Sequence, residues 1–102
     1  MVIYEVNLTI DKQIYAEYHD WLIEHIRKIL GFPGFIQAEI AKEQTFENES
    51  PKLAVRYQID NVDHLKIYLN QHAPTMRAEA VHRFGDKFSA SRRIFVEQQF
   101  IS

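Results

Sequence analysis

Residues 2-10 alternate strictly, with Val2, Tyr4, Val6, Leu8 and Ile10 on one face and Ile3, Glu5, Asn7 and Thr9 on the other. This period of two predicts a half-buried strand. Asp11 follows as a plausible N-cap, its carboxylate placed to accept from free amides of a first helical turn. Ile14, Tyr18, Leu22, His25 and Ile29 then recur at helical spacing, and the helix they predict ends near Gly31 and Pro33. After the turn GFPGF, Ile36, Ala38 and Ile40 alternate with Gln37 and Glu39, giving a second strand that fades into the polar loop TFENESPK. A third strand sets Leu53, Val55, Tyr57 and Ile59 opposite Ala54, Arg56 and Gln58. Asn61 is placed to cap a second helix carrying Val62, Leu65 and Leu69. Pro74 lacks an amide hydrogen and disfavours helix at the residue before it, so this helix is expected to break at His72-Ala73 and restart at Pro74. Gly85 is its natural stop, and residues 88-97 form the last strand.

The order β-α-β-β-α-β predicts an α+β, ferredoxin-like sandwich with the helices on one face of a four-stranded antiparallel sheet. No repeat or linker divides the chain, so residues 1-102 are expected to form one domain. Strands one and three would lie in the centre, bringing Glu5, Asn7, Arg56 and Gln58 onto the face away from the helices. Glu39 and either Arg92 or Arg93 would join them, depending on register. Such a face is either solvated or the contact surface of a homodimer, with carboxylates and guanidiniums pairing across it.

Composition narrows the function. A chain of 102 residues, 46% hydrophobic and 13% aromatic, suffices for one core. It has no cysteine, which removes disulfides and thiolate chemistry and suits a reducing cytoplasm, the expected location. The N-terminus already alternates like a strand, so no signal peptide is expected, and the longest apolar runs fall far short of the ~20 residues that span a bilayer. A net charge of -2 and a pI near 6.2 argue against general nucleic-acid binding. The charge is uneven, however. The stretch from His72 to Arg93 carries +3, leaving about -5 for the remainder.

Within that stretch Arg77, Arg83, Arg92 and Arg93 could hold an anion bidentately, although Arg83 with Asp86 could instead lock helix to strand. His25 lies in the apolar stripe of the first helix near Trp21, either as a hydrogen-bonded core residue or as a general base in a helix-sheet pocket. His72 either caps the helix break or faces the same pocket. His19, His64 and His82 fall on outer or mixed faces. No H-x-x-x-H pair, Gly-rich phosphate loop or G-x-S-x-G elbow is present, so neither metal nor cofactor is expected. IYEVNL resembles the first-strand motif of RNA-recognition domains, but exposing Tyr4 to stack a base would expose Val2, Val6 and Leu8 and bury Glu5 and Asn7. The phase is wrong for RNA binding.

The opening IYEVNL, GFPGF after the first helix, and HAP..MR......RFGD.FSA.RR resemble a small bacterial family of unknown function in the dimeric α+β barrel superfamily. The resemblance implies ferredoxin-like protomers whose sheets face one another in a homodimer. Relatives include cofactor-free antibiotic-biosynthesis monooxygenases, muconolactone isomerases and haem-degrading enzymes, so superfamily membership does not choose a reaction. The leading expectation is a pocket for a small organic or anionic molecule, with monooxygenase- or isomerase-like activity. His25 and His72 are its candidate acid-base groups, Trp21 and Tyr57 its wall, and Arg77 and Arg92 its anion anchors. The competing expectation is a non-catalytic dimeric binding or regulatory module.

Overall fold

The alternation at the start of the chain becomes β1 (Val2–Ile10), one of the two central strands of the sheet. In the computed structural model, which describes all 102 residues, β1 is followed by α1 (Tyr15–Ile29), β2 (Phe35–Lys42) and β3 (Lys52–Ile59). The chain continues through α2 (Val62–Gln71), α3 (Ala73–Phe84) and β4 (Phe88–Phe95). The sheet is antiparallel throughout in the order β2-β3-β1-β4, the ferredoxin-like topology that the element order predicts. Tyr4, Leu8 and Ile10 of β1 and Val55, Tyr57 and Ile59 of β3 form the core face of the sheet. Tyr18, Leu22, Ile26 and Ile29 of α1 pack over it, with Leu65, Tyr68 and Met76 from the other helices.

Local chemistry explains the boundaries. Asp11 accepts from the Gln13 amide at 2.9 Å, as an N-cap should, but it caps a single 3₁₀ turn, Lys12–Ile14, that precedes α1. Asn61 accepts from the His64 amide at 2.9 Å and starts α2. On α2 the buried residues are Leu65 and Tyr68, whereas Val62 is exposed. The break falls at His72, whose φ of -121° leaves helical geometry just before Ala73 and Pro74 open α3. Gly85 ends α3 at φ 60°, ψ -129°, a conformation that only glycine adopts readily.

Two departures concern β2 and the turn before it. Phe35 pairs with Ile59 but Gln37 with Gln58, so Ile36 is the extra residue of a bulge. Ile36 therefore sits 52% exposed instead of sharing the inward face with Ala38 and Ile40, and Phe35 packs on the core. Gly34 has φ 87°, and a Cβ there would lie 2.5 Å from the His64 side chain. His64, expected on an outer or mixed face, is half-buried against this turn and hydrogen-bonded to Asp60 at 2.7 Å. GFPG is thus the seat on which the start of α2 rests.

The face away from the helices also differs from expectation. Glu5 is only 1% exposed. Its carboxylate accepts from Arg56 Nε at 2.6 Å, Arg93 Nε at 2.5 Å and Asn7 Nδ2 at 2.9 Å, and Arg56 also donates to Glu39 at 3.3 Å. The register selects Arg93 for this face and leaves Arg92 on the other. Carboxylates and guanidiniums therefore already pair within one chain. Arg83 likewise donates to Glu17 of α1 at 3.1 Å, joining two helices, and does not lock α3 to β4 through Asp86. No helix is long and apolar enough to cross a membrane.

Burial alone would raise the Glu5 pKa, but hydrogen bonds from Arg56, Asn7 and Arg93, with the charge of Arg93, lower it to about 2. A depressed carboxylate contributes stability that is present above the ordinary carboxylate range and lost as pH falls through it toward 2. The partner side chains are 44% and 62% exposed, so water screens part of the effect. Glu5→Gln is expected to cost on the order of 2 kcal/mol at pH 7, with the difference from the parent protein shrinking below pH 4. Urea unfolding at pH 7 and pH 3 measures this, and an equal difference at both would remove Glu5 from the account of acid stability.

Candidate functional site

Between the helices and the sheet lies a cavity of about 380 Å³. Its floor is the core face of β1 and β3, where Tyr4, Val6, Val55 and Tyr57 point toward the helices. Trp21 and His25 of α1, Met76 and Arg77 of α3, and Arg92 of β4 supply walls. The space exists because large rings face small residues. Ala80, Gly85, Ser89 and Ala90 line it opposite rigid aromatics, which cannot collapse as flexible aliphatic chains would.

The rings form two groups. Tyr4 stacks on Tyr57 with centroids 5.9 Å apart and lies 6.1 Å from Tyr68. Tyr18 packs on Trp21, Phe84 and Phe88 at 5.5, 4.8 and 5.2 Å. Arg77 Nη2 donates to the Tyr4 hydroxyl at 3.1 Å, bringing a guanidinium to the cavity from an otherwise exposed helix position. The hydroxyls of Tyr18, Tyr57 and Tyr68 bond to no protein group. Among sealed side-chain polar atoms the one without a partner is His25 Nδ1, so these hydroxyls are not sealed, on residues that line the cavity. Burial pushes the Tyr18 pKa up to about 12 and raises those of Tyr57 and Tyr68 further, the charge of Arg92 opposing in each case. At neutral pH they are protonated phenols able to donate.

His25 stacks on Trp21 at 4.4 Å and an interplanar angle of 23°. Its side chain is 12% exposed, and burial lowers its pKa against the raising influence of Glu79. Glu79 Oε2 lies 3.7 Å from Nδ1, an ion-pair distance too long for a hydrogen bond. The ring is therefore held by stacking, with both nitrogens free of hydrogen bonds.

Of the residues singled out from the sequence, Trp21, His25, Tyr57, Arg77 and Arg92 come together around this cavity. His72 does not. It stacks on Phe32 at 4.2 Å, and Phe32 in turn lies 5.5 Å from Tyr68, so His72 sits one ring beyond the cavity wall. The sequence reading left out Tyr4, Tyr68 and Glu79 as site residues. Tyr4 belongs to the inward-facing stripe of β1, whereas Tyr68 lies three residues after Leu65, beside the Val62, Leu65 and Leu69 stripe expected of α2, and is buried with Leu65. Glu79 lies three residues after the buried Met76, on the flank of the inward stripe.

A family model described as a domain of unknown function (DUF4286) matches residues 1–98. No curated protein matches the chain. Among solved structures, a candidate antibiotic biosynthesis monooxygenase from Deinococcus radiodurans is similar at TM-score 0.75 and 13% identity, over 100% of this chain and 97% of that one. SnoaB, a cofactor-independent oxygenase from Streptomyces nogalater, is similar at 0.69 and 17%, over 98% and 96%. The heme-degrader MhuD from Mycobacterium tuberculosis, with two hemes in its active site, is similar at 0.66 and 16%, over the whole of both chains. At such identities the likeness is one of fold.

A filling substitution tests whether the cavity is real space. Ala80 is 7% exposed and on its wall. Ala80→Leu is expected to leave unfolding free energy within about 1 kcal/mol of the parent, whereas overpacking a filled core costs about 1–3 kcal/mol. Denaturant unfolding distinguishes the two.

Proposed function

The chain belongs to the DUF4286 family, a domain of unknown function, and we propose that it binds a small aromatic or otherwise flat organic molecule carrying an acidic oxygen. The observation behind this reading is one cavity that combines aromatic walls, two guanidiniums and an imidazole with both nitrogens unbonded. An apolar body would gain from the rings, while a few fixed polar groups orient it, the usual division of labour in small-molecule sites. Arg77 and Arg92 are the anchors for an oxyanion, assisted by the phenols of Tyr57 and Tyr68.

His25 is the candidate acid-base group. Its burial keeps it neutral near pH 7, the form a general base needs. Removing a proton from a ligand whose anion is then held by Arg77 and Arg92 is the first step of either oxygenase-like or isomerase-like chemistry. In the former the anion would give electrons to dioxygen; in the latter the proton would return at another carbon. The fold shared with a cofactor-independent oxygenase and a heme-degrader supports the oxygenase-like branch. His72, behind Phe32, has no part in this scheme.

The working unit we propose is a homodimer in the cytoplasm, built by apposing the two open sheet faces. Because Glu5, Glu39, Arg56 and Arg93 are paired within each chain, two such faces can meet without stranding a charge. Phe95 at the end of β4, on the same face as Arg93, stands exposed with Phe100 and Ile101 beyond it and would gain cover.

Thermal-shift screening with flavins, haem, quinols and aromatic acids is expected to give at least one stabilising compound whose effect His25→Ala or Arg77→Ala removes. Mass spectrometry of molecules that co-purify with the protein extends the same test. No stabilisation across the set would favour the non-catalytic dimeric module instead. Sedimentation equilibrium should return twice the 12.1 kDa chain mass, and a stable monomer would overturn the paired-sheet arrangement.

A further inference from the structure

His25 has a neighbour suited to control it, and that neighbour is shared. Glu79 Oε2 lies 3.7 Å from His25 Nδ1 and 3.5 Å from Lys28 Nζ. Nδ1 is sealed from solvent without a hydrogen bond, whereas Nε2, equally unbonded, is not sealed, on a side chain that lines the cavity. From α1 itself Lys28 acts on the imidazole through its charge, from α3 Glu79 faces it, and Arg77 and Arg92 stand on the walls of the same cavity.

We propose that Glu79 is the positioning residue for His25: its carboxylate keeps the ring proton on Nδ1 and the lone pair on Nε2, and Lys28 competes for the same carboxylate. This rests on the reading of His25 as the base of the cavity. When Nε2 takes a proton from an acidic C–H or O–H of a bound molecule, the electron pair stays on that molecule and the ring becomes an imidazolium. The new positive charge then draws Glu79 closer from 3.7 Å by roughly 1 Å, to the ~2.7–2.9 Å of a charge-assisted hydrogen bond. Lys28, with its side chain 63% exposed, is free to release the carboxylate to water-screened surroundings. The device stabilises the protonated base only after proton transfer. Without Glu79, burial and the cations Lys28, Arg77 and Arg92 would all oppose that charge.

The test needs no ligand, so it stands apart from the binding screen. Imidazole ¹⁵N–¹H correlation spectra of uniformly ¹⁵N-labelled protein, with His25 assigned by its loss in His25→Ala, report both tautomer and titration midpoint. Glu79→Gln is expected to lower the His25 midpoint by about one pH unit and to shift the ring toward the Nε2–H tautomer. Lys28→Met, at a mostly exposed position, is expected to raise the midpoint. Unchanged midpoint and tautomer in Glu79→Gln, in a protein whose remaining spectrum is preserved, would overturn the proposal. Should these shifts occur while no compound binds, the dyad stands and the ligand-binding reading is what fails.

Discussion

The carboxylate of Glu5, held between Arg56 on one neighbouring strand and Arg93 on the other, ties together the register of three strands. A strand that slips by one residue turns every side chain to the opposite face. A slip of β4 against β1 would move Arg93 off Glu5 and set Arg92 on the open face. The buried carboxylate would lose a partner, and the cavity would lose its β4 cation. The cost of leaving that charge unpaired is what makes the alternative register unfavourable. The floor of the cavity depends on the same choice, because Tyr4, Val6 and Tyr57 face the helices in one phase and solvent in the other.

Above this floor the helices do not close the space completely. The break at His72 ends α2 and lets α3 start afresh, and along α3 the residues turned inward alternate between Met76, Phe84 and the small Ala73 and Ala80. Rings on the opposite wall are too stiff to fill what the alanines leave. The result is an apolar chamber whose polar atoms are few and differ in character: phenols that donate, guanidiniums that attract, and one imidazole able to accept. A core of aliphatic residues with the same volume would be more stable and chemically silent.

Local features of the sequence were legible because their causes are local. Alternation in residues 2-10, the caps at Asp11 and Asn61, and the punctuation at Pro74 and Gly85 each act over a few residues, and each is where the pattern puts it. Features that depend on pairing between distant segments were not. Ile36 looked like the first inward residue of β2 until the bulge handed that place to Phe35. The choice between Arg92 and Arg93 required the β1–β4 register. Glu5 read as a polar position on a face either solvated or covered by a second copy, since nothing in its neighbourhood along the chain announces two arginines 51 and 88 residues away. His72 shared a helical stripe with Leu65 and Leu69, but the end of that stripe lies beyond the cavity, against Phe32. His25 and Trp21, one helical turn apart on α1, were the part of the site that periodicity could bring together.

That pairing has a use outside chemistry. Trp21 is the only tryptophan in the chain, and its indole lies face to face with the imidazole of His25. An excited indole gives up an electron readily to an imidazolium in contact with it and much less readily to a neutral imidazole. The emission of this protein is therefore tied to the charge state of one histidine. Light from Trp21 offers a label-free optical report on events in the chamber, with no second tryptophan to dilute it.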